Sequence, residues 1–233
     1  MTAENTMNPK QRVAVHAANL VEADMIVGLG TGSTANLFIE ALAKRNRTEN
    51  LNVTTVSSSA ISAIKAKEAG LPVLSIDSLS ELDLYVDGAD EVTADLALLK
   101  GRGQDLVREK LLATAADQFF VMVDESKLVE FIGEKFPIPV EVMPDAWKLV
   151  FNQLKQQGGR GDLRLNASGD NVAVTAHGSL VLDMHFDHVD SLELTMILDT
   201  IPGVVEHGIF SDLATAVFIG GDSEVEEHWR QEP

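Results

Sequence analysis

The stretch Met25-Ile-Val-Gly-Leu-Gly-Thr-Gly-Ser-Thr34 decides the fold. Its first five residues form a short apolar run and read as a buried strand. Gly28, Gly30 and Gly32 then supply a tight turn. From Ser33 onward, Leu37, Phe38, Ala41 and Leu42 recur at helical spacing, so residues 33–44 read as a helix. Strand, glycine turn and helix together open a βαβ unit. The pattern repeats downstream. Residues 53–56, 72–76, 82–86 and 119–123 read as further strands, and Ser57-Ser-Ser59 caps a helix that stops before Gly70. Short apolar strands alternating with helices imply parallel pairing with helices on both faces.

The second half has another rhythm. Residues 138–143 read as a strand, and 145–157 as a helix capped by Asp145 and ended by Gly158-Gly159. Residues 163–165 and 172–175 alternate apolar and polar. A strand over 179–184, a helix over 191–201 and a strand over 204–209 follow. The order β-α-β-β-α-β is that of a ferredoxin-like unit. The expected architecture is therefore α/β. A Rossmann-like parallel-sheet domain spans 1–137, with 211–233 returning to it, and a smaller ferredoxin-like α+β domain spans 138–210. Within the returning segment, 216–219 reads as an apolar run and the acidic tail 222–233 as loose.

Composition narrows the function. With 233 residues the chain can bury a sizeable core. Its 36 carboxylates against 18 cations give a net charge of −18, which offers no general footprint for nucleic acid or an anionic membrane. Any phosphate it binds needs a local positive site. There is no cysteine, which excludes disulfides, thiolate zinc sites and cysteine nucleophiles. No apolar run reaches the roughly 18 residues of a spanning helix. The polar N-terminus does not read as a signal peptide, so a cytoplasmic protein is expected.

Four clusters could carry chemistry. Backbone N–H groups at the start of the first helix, with the Thr31, Ser33 and Thr34 hydroxyls, make an anion cradle. Ser33 stands where a dinucleotide fingerprint needs its third glycine, and no lysine precedes it as in a Walker A loop. A plain βα turn is the competing explanation. Asp87-Gly-Ala-Asp90-Glu91 follows the strand over 82–86, outside whose carboxyl end ligands of open sheets bind. Those acids read equally as solvated turn residues or as a divalent-metal site. Lys100-Gly-Arg-Gly103 places a cation before a helix over 104–115, although it could be a solvated loop lysine. On that helix Glu109 shares the stripe of Leu106, Leu112 and Ala113, with no cation three or four residues away. Partial burial would raise its pKa and suit it to proton transfer, whereas a solvated face would not. His185 and His188, a strand end and a loop, make a poor metal pair.

Taken in order, Gly-Leu-Gly-Thr-Gly-Ser-Thr, Tyr-Val-Asp-Gly-Ala-Asp-Glu, Lys-Gly-Arg-Gly, Arg-Glu-Lys, Asp-Glu-Ser-Lys and Pro-Ile-Pro-Val-Glu-Val resemble the type A ribose-5-phosphate isomerases, and Pro202-Gly-Val-Val-Glu-His-Gly-Ile-Phe210 is similar to a late segment of that family. The match runs from about Lys10 to Gly220. The resemblance implies an aldose–ketose isomerase of the non-oxidative pentose phosphate pathway, interconverting D-ribose 5-phosphate and D-ribulose 5-phosphate. It implies Glu109 as catalytic base, with Asp87, Asp90 and Lys100 as further catalytic groups. Thr31, Gly32, Ser33 and Thr34 match the substrate-binding loop. Gly88, Ala89, Gly101, Arg102, Gly103, Lys127 and Lys10 complete the substrate-binding set. No metal or organic cofactor is implied, and the resemblance implies a homodimer or homotetramer. Two positions depart from the family. Arg102 replaces a usual glycine, and Ala60 stands where relatives often have Asp.

The chemistry agrees with these residue types. Moving a proton between C2 and C1 through an enediolate needs one carboxylate that removes and returns it. The developing oxyanion needs positive charge, which Lys100 and the N–H groups after it can supply. Asp87 and Asp90 can shuttle hydroxyl protons and assist ring opening. The rivals are a sugar-phosphate sensor without turnover, which needs no base, and a metal-dependent phosphatase using Asp87, Asp90 and Glu91.

Overall fold

The computed structural model describes residues 7–103, 105–187 and 190–231. In chain order the first elements are α1 (Pro9–Asn19), β1 (Ile26–Leu29), α2 (Ser33–Glu49), β2 (Thr54–Ser57), α3 (Ala60–Glu68), β3 (Val73–Leu74) and β4 (Leu82–Gly88). Then come β5 (Glu91–Val92), β6 (Leu98–Leu99), α4 (Leu106–Ala115), β7 (Ala116–Asp124), β8 (Ile138–Val142) and α5 (Trp147–Gln156). The last are β9 (Arg160–Leu163), β10 (Leu180–His185), α6 (Ser191–Asp199), β11 (Val204–His207), β12 (Ile209–Phe210), β13 (Ala216–Gly220) and β14 (Val225–Trp229).

The chain forms two compact units. The first comprises residues 1–89, 108–127 and 213–233, and the second 90–107 and 128–212. The boundaries differ from those expected, because 90–107 and 128–137 group with the second unit. The reason is pairing: β6 lies antiparallel between β5 and β12.

The first unit holds a seven-stranded sheet in the order β14-β13-β7-β4-β1-β2-β3. All neighbours are parallel except β14, which runs antiparallel to β13 at the edge. Both β2 and β4 flank β1, so strand order reverses between β1 and β4, the point at whose carboxyl ends open α/β sheets bind their ligands. Helix α1, absent from the sequence reading, carries a capping box in which Asn8 and Gln11 bond each other's backbone N–H, with Pro9 in its first turn. Its buried face, Val13, Ala14, Ala17 and Ala18, joins Phe38, Leu42, Val86 and Phe218 in the core.

The tail corrects an expectation. Residues 225–229 are not loose but pair along β13, and Trp229 packs edge-on against Phe120 and Phe218 with centroids 5.6 and 5.8 Å away.

In the second unit the four-stranded antiparallel sheet has the order β11-β8-β10-β9. With α5 and α6 this is the ferredoxin-like arrangement, and Val140, Val142, Val150, Leu154, Leu194 and Leu198 fill its core. Asp145 is not the cap of α5. It lies in a 3₁₀ turn over Pro144–Ala146, and α5 starts after Ala146 without a side-chain cap. The runs 163–165 and 172–175 are joined by the single bridge Leu165–Val172, and Val174 bridges to Leu180 of β10.

Candidate active site

The glycines after β1 answer first to the strand beside them. A Cβ on Gly28 would stand 2.7 Å from Cδ2 of Tyr85, and one on Gly30 would stand 2.0 Å from Cγ of Asp87. Both gaps are below any real contact, so these two positions are glycine to admit a tyrosine ring and a carboxylate from β4. Gly32 is different. Its φ of 116° favours glycine and nothing lies within 4 Å of its missing Cβ.

Asp87 is fully buried at the carboxyl end of β4. Its Oδ1 accepts from the N–H groups of Thr31 (3.0 Å) and Gly88 (2.7 Å), and its Oδ2 from the hydroxyl of Tyr85 (2.6 Å). The Thr31 hydroxyl turns toward a serine cluster, 3.0 Å from Ser58 Oγ, 2.7 Å from Ser59 Oγ and 3.3 Å from Ser62 Oγ. Ser62 in turn donates to the Gly30 carbonyl at 2.6 Å. Ser58 and Ser59, read from sequence within a helix cap, and Ser62, which is not, brace the β1–α2 turn. Ser59 also caps α3, and Ala60 follows it as an exposed residue.

Ser33 is exposed and Thr34 half-buried in the first turn of α2, whose N-terminus has no side-chain cap. That leaves amide donors for an anion. Lys10 Nζ lies 3.4 Å from Ser33 Oγ. Lys127 follows β7 in the 3₁₀ turn Glu125–Lys127. Both lysines act on Asp124, whose carboxyl is lowered below its usual range. Burial opposes that shift, and the Ser126 hydrogen bonds and the two lysine charges outweigh it. Lys10 and Asp124 line a cavity of about 440 Å³ with Asn8, Ser126 and Asp222.

Glu109 sits on α4 at 5% exposure, with Leu106, Leu112 and Ala113 also buried, as its stripe required. Its charge reaches the Tyr85 hydroxyl, which also bonds Asp87. Burial, then these two carboxylates, push the Tyr85 phenol well above its ordinary range, with a weaker opposing contribution from Ser58. The hydroxyl therefore stays a donor.

The second unit carries the remaining residues. Asp90 is half-buried, its N–H donates to the Leu99 carbonyl at 2.8 Å, and its Oδ1 is 3.8 Å from Arg102 Nη1. The Arg102 guanidinium also lies 4.0 Å from the centroid of the Phe136 ring. Lys100 is 4% exposed, with Nζ 5.7 Å from the Phe210 centroid. Gly101 takes a φ of 95°, and its carbonyl accepts from Arg164 at 2.8 Å. Gly103 is exposed and Ala89, the last residue of the first unit, is half-buried. Gln104, expected to open α4, and His188 lie outside the described residues.

Two acidic clusters have structural explanations. Glu91 is fully buried and accepts from the N–H groups of Gly133, Lys135 and Phe136 at 2.6 to 2.7 Å. It fastens the loop 133–136 rather than presenting a ligand. Among the described residues Asp199, Glu206 and His207 could also surround a metal ion. There His207 Nδ1 accepts from the Ile209 N–H, so the neutral ring keeps its proton on Nε2, which points at Asp199 Oδ1 3.1 Å away. In that tautomer the nitrogen donates to the Asp199 carboxylate.

A parallel sheet with a glycine–hydroxyl turn and a buried carboxylate at its switch point defines the class, an α/β protein with a candidate ligand site at the carboxyl ends of its strands. The model of the family ribose 5-phosphate isomerase A (phosphoriboisomerase A) matches residues 54–224. Ribose-5-phosphate isomerase A of Thermococcus kodakarensis is 43% identical over 218 residues, covering 93% of this chain and 95% of that protein. The structure of ribose 5-phosphate isomerase A from Methanocaldococcus jannaschii superposes with a TM-score of 0.90 at 39% identity, covering 95% of this chain and 98% of that one. A D-ribose-5-phosphate isomerase in complex with phospho-erythronic acid gives 0.92 at 38% identity, covering 96% of this chain and 100% of that one. The chain belongs to the ribose 5-phosphate isomerase A family.

Proposed function

We propose that the chain interconverts D-ribose 5-phosphate and D-ribulose 5-phosphate through an enediolate, with Glu109 moving the proton between C2 and C1. The observation that carries this reading is the placement of Glu109, a carboxylate buried on the apolar face of α4 among Leu106, Leu112 and Ala113. A buried carboxylate on an apolar face is the kind of group that removes and returns a proton, while Asp87, with three hydrogen-bond donors, is held as an orienting group.

The remaining roles follow the family's motif. Lys100 stabilises the oxyanion as charge develops on it. Asp87 and Asp90 handle the sugar hydroxyls during ring opening. Ser33, Thr34 and the amides of the α2 N-terminus hold the phosphate, with Lys10 and Lys127 supplying the local positive charge that a −18 chain needs. Thr31, Gly32, Gly88, Ala89, Gly101, Arg102 and Gly103 shape the substrate loops. The phospho-erythronic acid bound to a relative joins a phosphate to a planar carboxylate, a fair likeness of a phosphorylated enediolate. Work in the cytoplasm, as a homodimer or homotetramer in the non-oxidative pentose phosphate pathway, completes the proposal. Among the described residues no helix is long and apolar enough to cross a membrane.

The test is ketose formation from D-ribose 5-phosphate by the purified chain in the presence of a chelator. Undiminished turnover is expected. Release of inorganic phosphate that the chelator abolishes would instead favour the phosphatase, a reading that the three N–H donors on Glu91 already disfavour. Binding without any turnover would favour the sensor.

A further inference from the structure

Tyr85 is the chain's only tyrosine. It is fully buried, and its position is over-determined. In the sheet it pairs with Gly28 of β1 on one side and Phe119 of β7 on the other. Its ring stacks on Phe119 with centroids 4.9 Å apart at 25°, in space that Gly28 leaves open. Tyr85 and Asp87 are two residues apart on β4, so their side chains leave the same face of the strand. The ring thereby delivers its hydroxyl to Asp87 Oδ2 at 2.6 Å, while Thr31 and Gly88 hold Oδ1.

We infer that Tyr85 is a positioning residue for the isomerisation: its hydroxyl fixes the Asp87 carboxylate as an oriented acceptor, leaving proton transfer to Glu109. The inference rests on the isomerase reading and refines it. Three donors hold Asp87 from different directions. Together they fix the plane of the carboxylate and the directions in which its two oxygens accept. A fixed acceptor of this kind orients a sugar hydroxyl and need not exchange protons with it. Phenol chemistry supports the division, since burial and the charges of Asp87 and Glu109 keep Tyr85 protonated as a donor.

The decisive variant is Tyr85→Phe, which removes one hydroxyl and keeps the stacked ring. kcat should fall about ten- to a hundredfold, the range of one hydrogen bond to a charged group. KM should move less than about threefold, because ground-state contacts persist. In an Asp87→Asn background the same change should cost less than about twofold, since Tyr85 acts through Asp87. Costs that multiply in full, or a loss confined to KM, would overturn the inference. Because Tyr85 stands alone, biosynthetic 3-fluorotyrosine reports on this site only. Its fluorine resonance should shift in Asp87→Asn. An unmoved resonance would also overturn the inference, even if Tyr85→Phe failed to fold. A wild-type chain that turned over no ribose 5-phosphate would overturn the isomerase reading and the positioning role with it, whereas a wild-type rate in Tyr85→Phe with a shifted resonance in Asp87→Asn would overturn the positioning role alone.

Discussion

A Cβ on Gly30 would coincide with the Asp87 carboxyl group, 2.0 Å from both Cγ and Oδ1. The end of β1 and the end of β4 are thus fitted to each other before any substrate arrives. Gly30→Ala must push Asp87 off its three donors. We expect a stability loss of about 1–3 kcal/mol, as for other overpacked sites, and a fall in kcat larger than that of Gly32→Ala. Urea denaturation and steady-state kinetics on the two variants check this.

Ionisation of Tyr85 should be silent in the native protein. Burial first, then the charges of Asp87 and Glu109, raise its pKa in the folded state. Stability from a raised pKa is complete below the unfolded value of about 10 and is lost as pH climbs above it. Tyrosinate absorbance should therefore appear in a single step together with loss of circular dichroism. A smooth titration near the ordinary value in folded protein would contradict the buried hydroxyl.

Glu91→Gln should destabilise without abolishing chemistry. An amide can accept through one oxygen only, so part of the N–H set from Gly133, Lys135 and Phe136 would face an NH₂ group. A cost of about 1–3 kcal/mol is expected, with kcat within a few-fold of wild type. A metal-ligand role would instead show as activity lost and restored by added divalent ions.

Lys100→Met keeps much of the stem of a buried lysine and deletes its charge. Turnover should fall about a hundredfold or more, the range for a lost oxyanion donor. A planar anionic mimic such as phospho-erythronic acid should lose more affinity than the substrate does. Equal losses with saturated turnover preserved would make Lys100 a phosphate grip.

The alternation of apolar strands and helices was enough to read the parallel sheet, and β-α-β-β-α-β was enough for the second unit, because both patterns are local. Apart from helix α1, what escaped reading was non-local. Helix α1 could have been read from Asn8, Pro9 and Gln11, whose cap signal the charges of Lys10 and Arg12 obscured. Strand β14 contains adjacent glutamates at 226 and 227, and only the aromatic pair Phe120 and Phe218 explains why Trp229 settles there. Glu109 was legible because a carboxylate on an apolar helical stripe is a local anomaly. The purpose of Gly28 and Gly30 was not, since it depends on the register that sets β1 against Tyr85 and Asp87.

The central claim is that one buried carboxylate carries the proton, and Glu109→Gln tests it most directly. The substitution keeps shape and removes proton acceptance. Conversion of D-ribose 5-phosphate should fall by about two to four orders of magnitude, the share of general base catalysis, while calorimetric binding of the sugar phosphate changes little. Turnover near the wild-type rate would contradict the account.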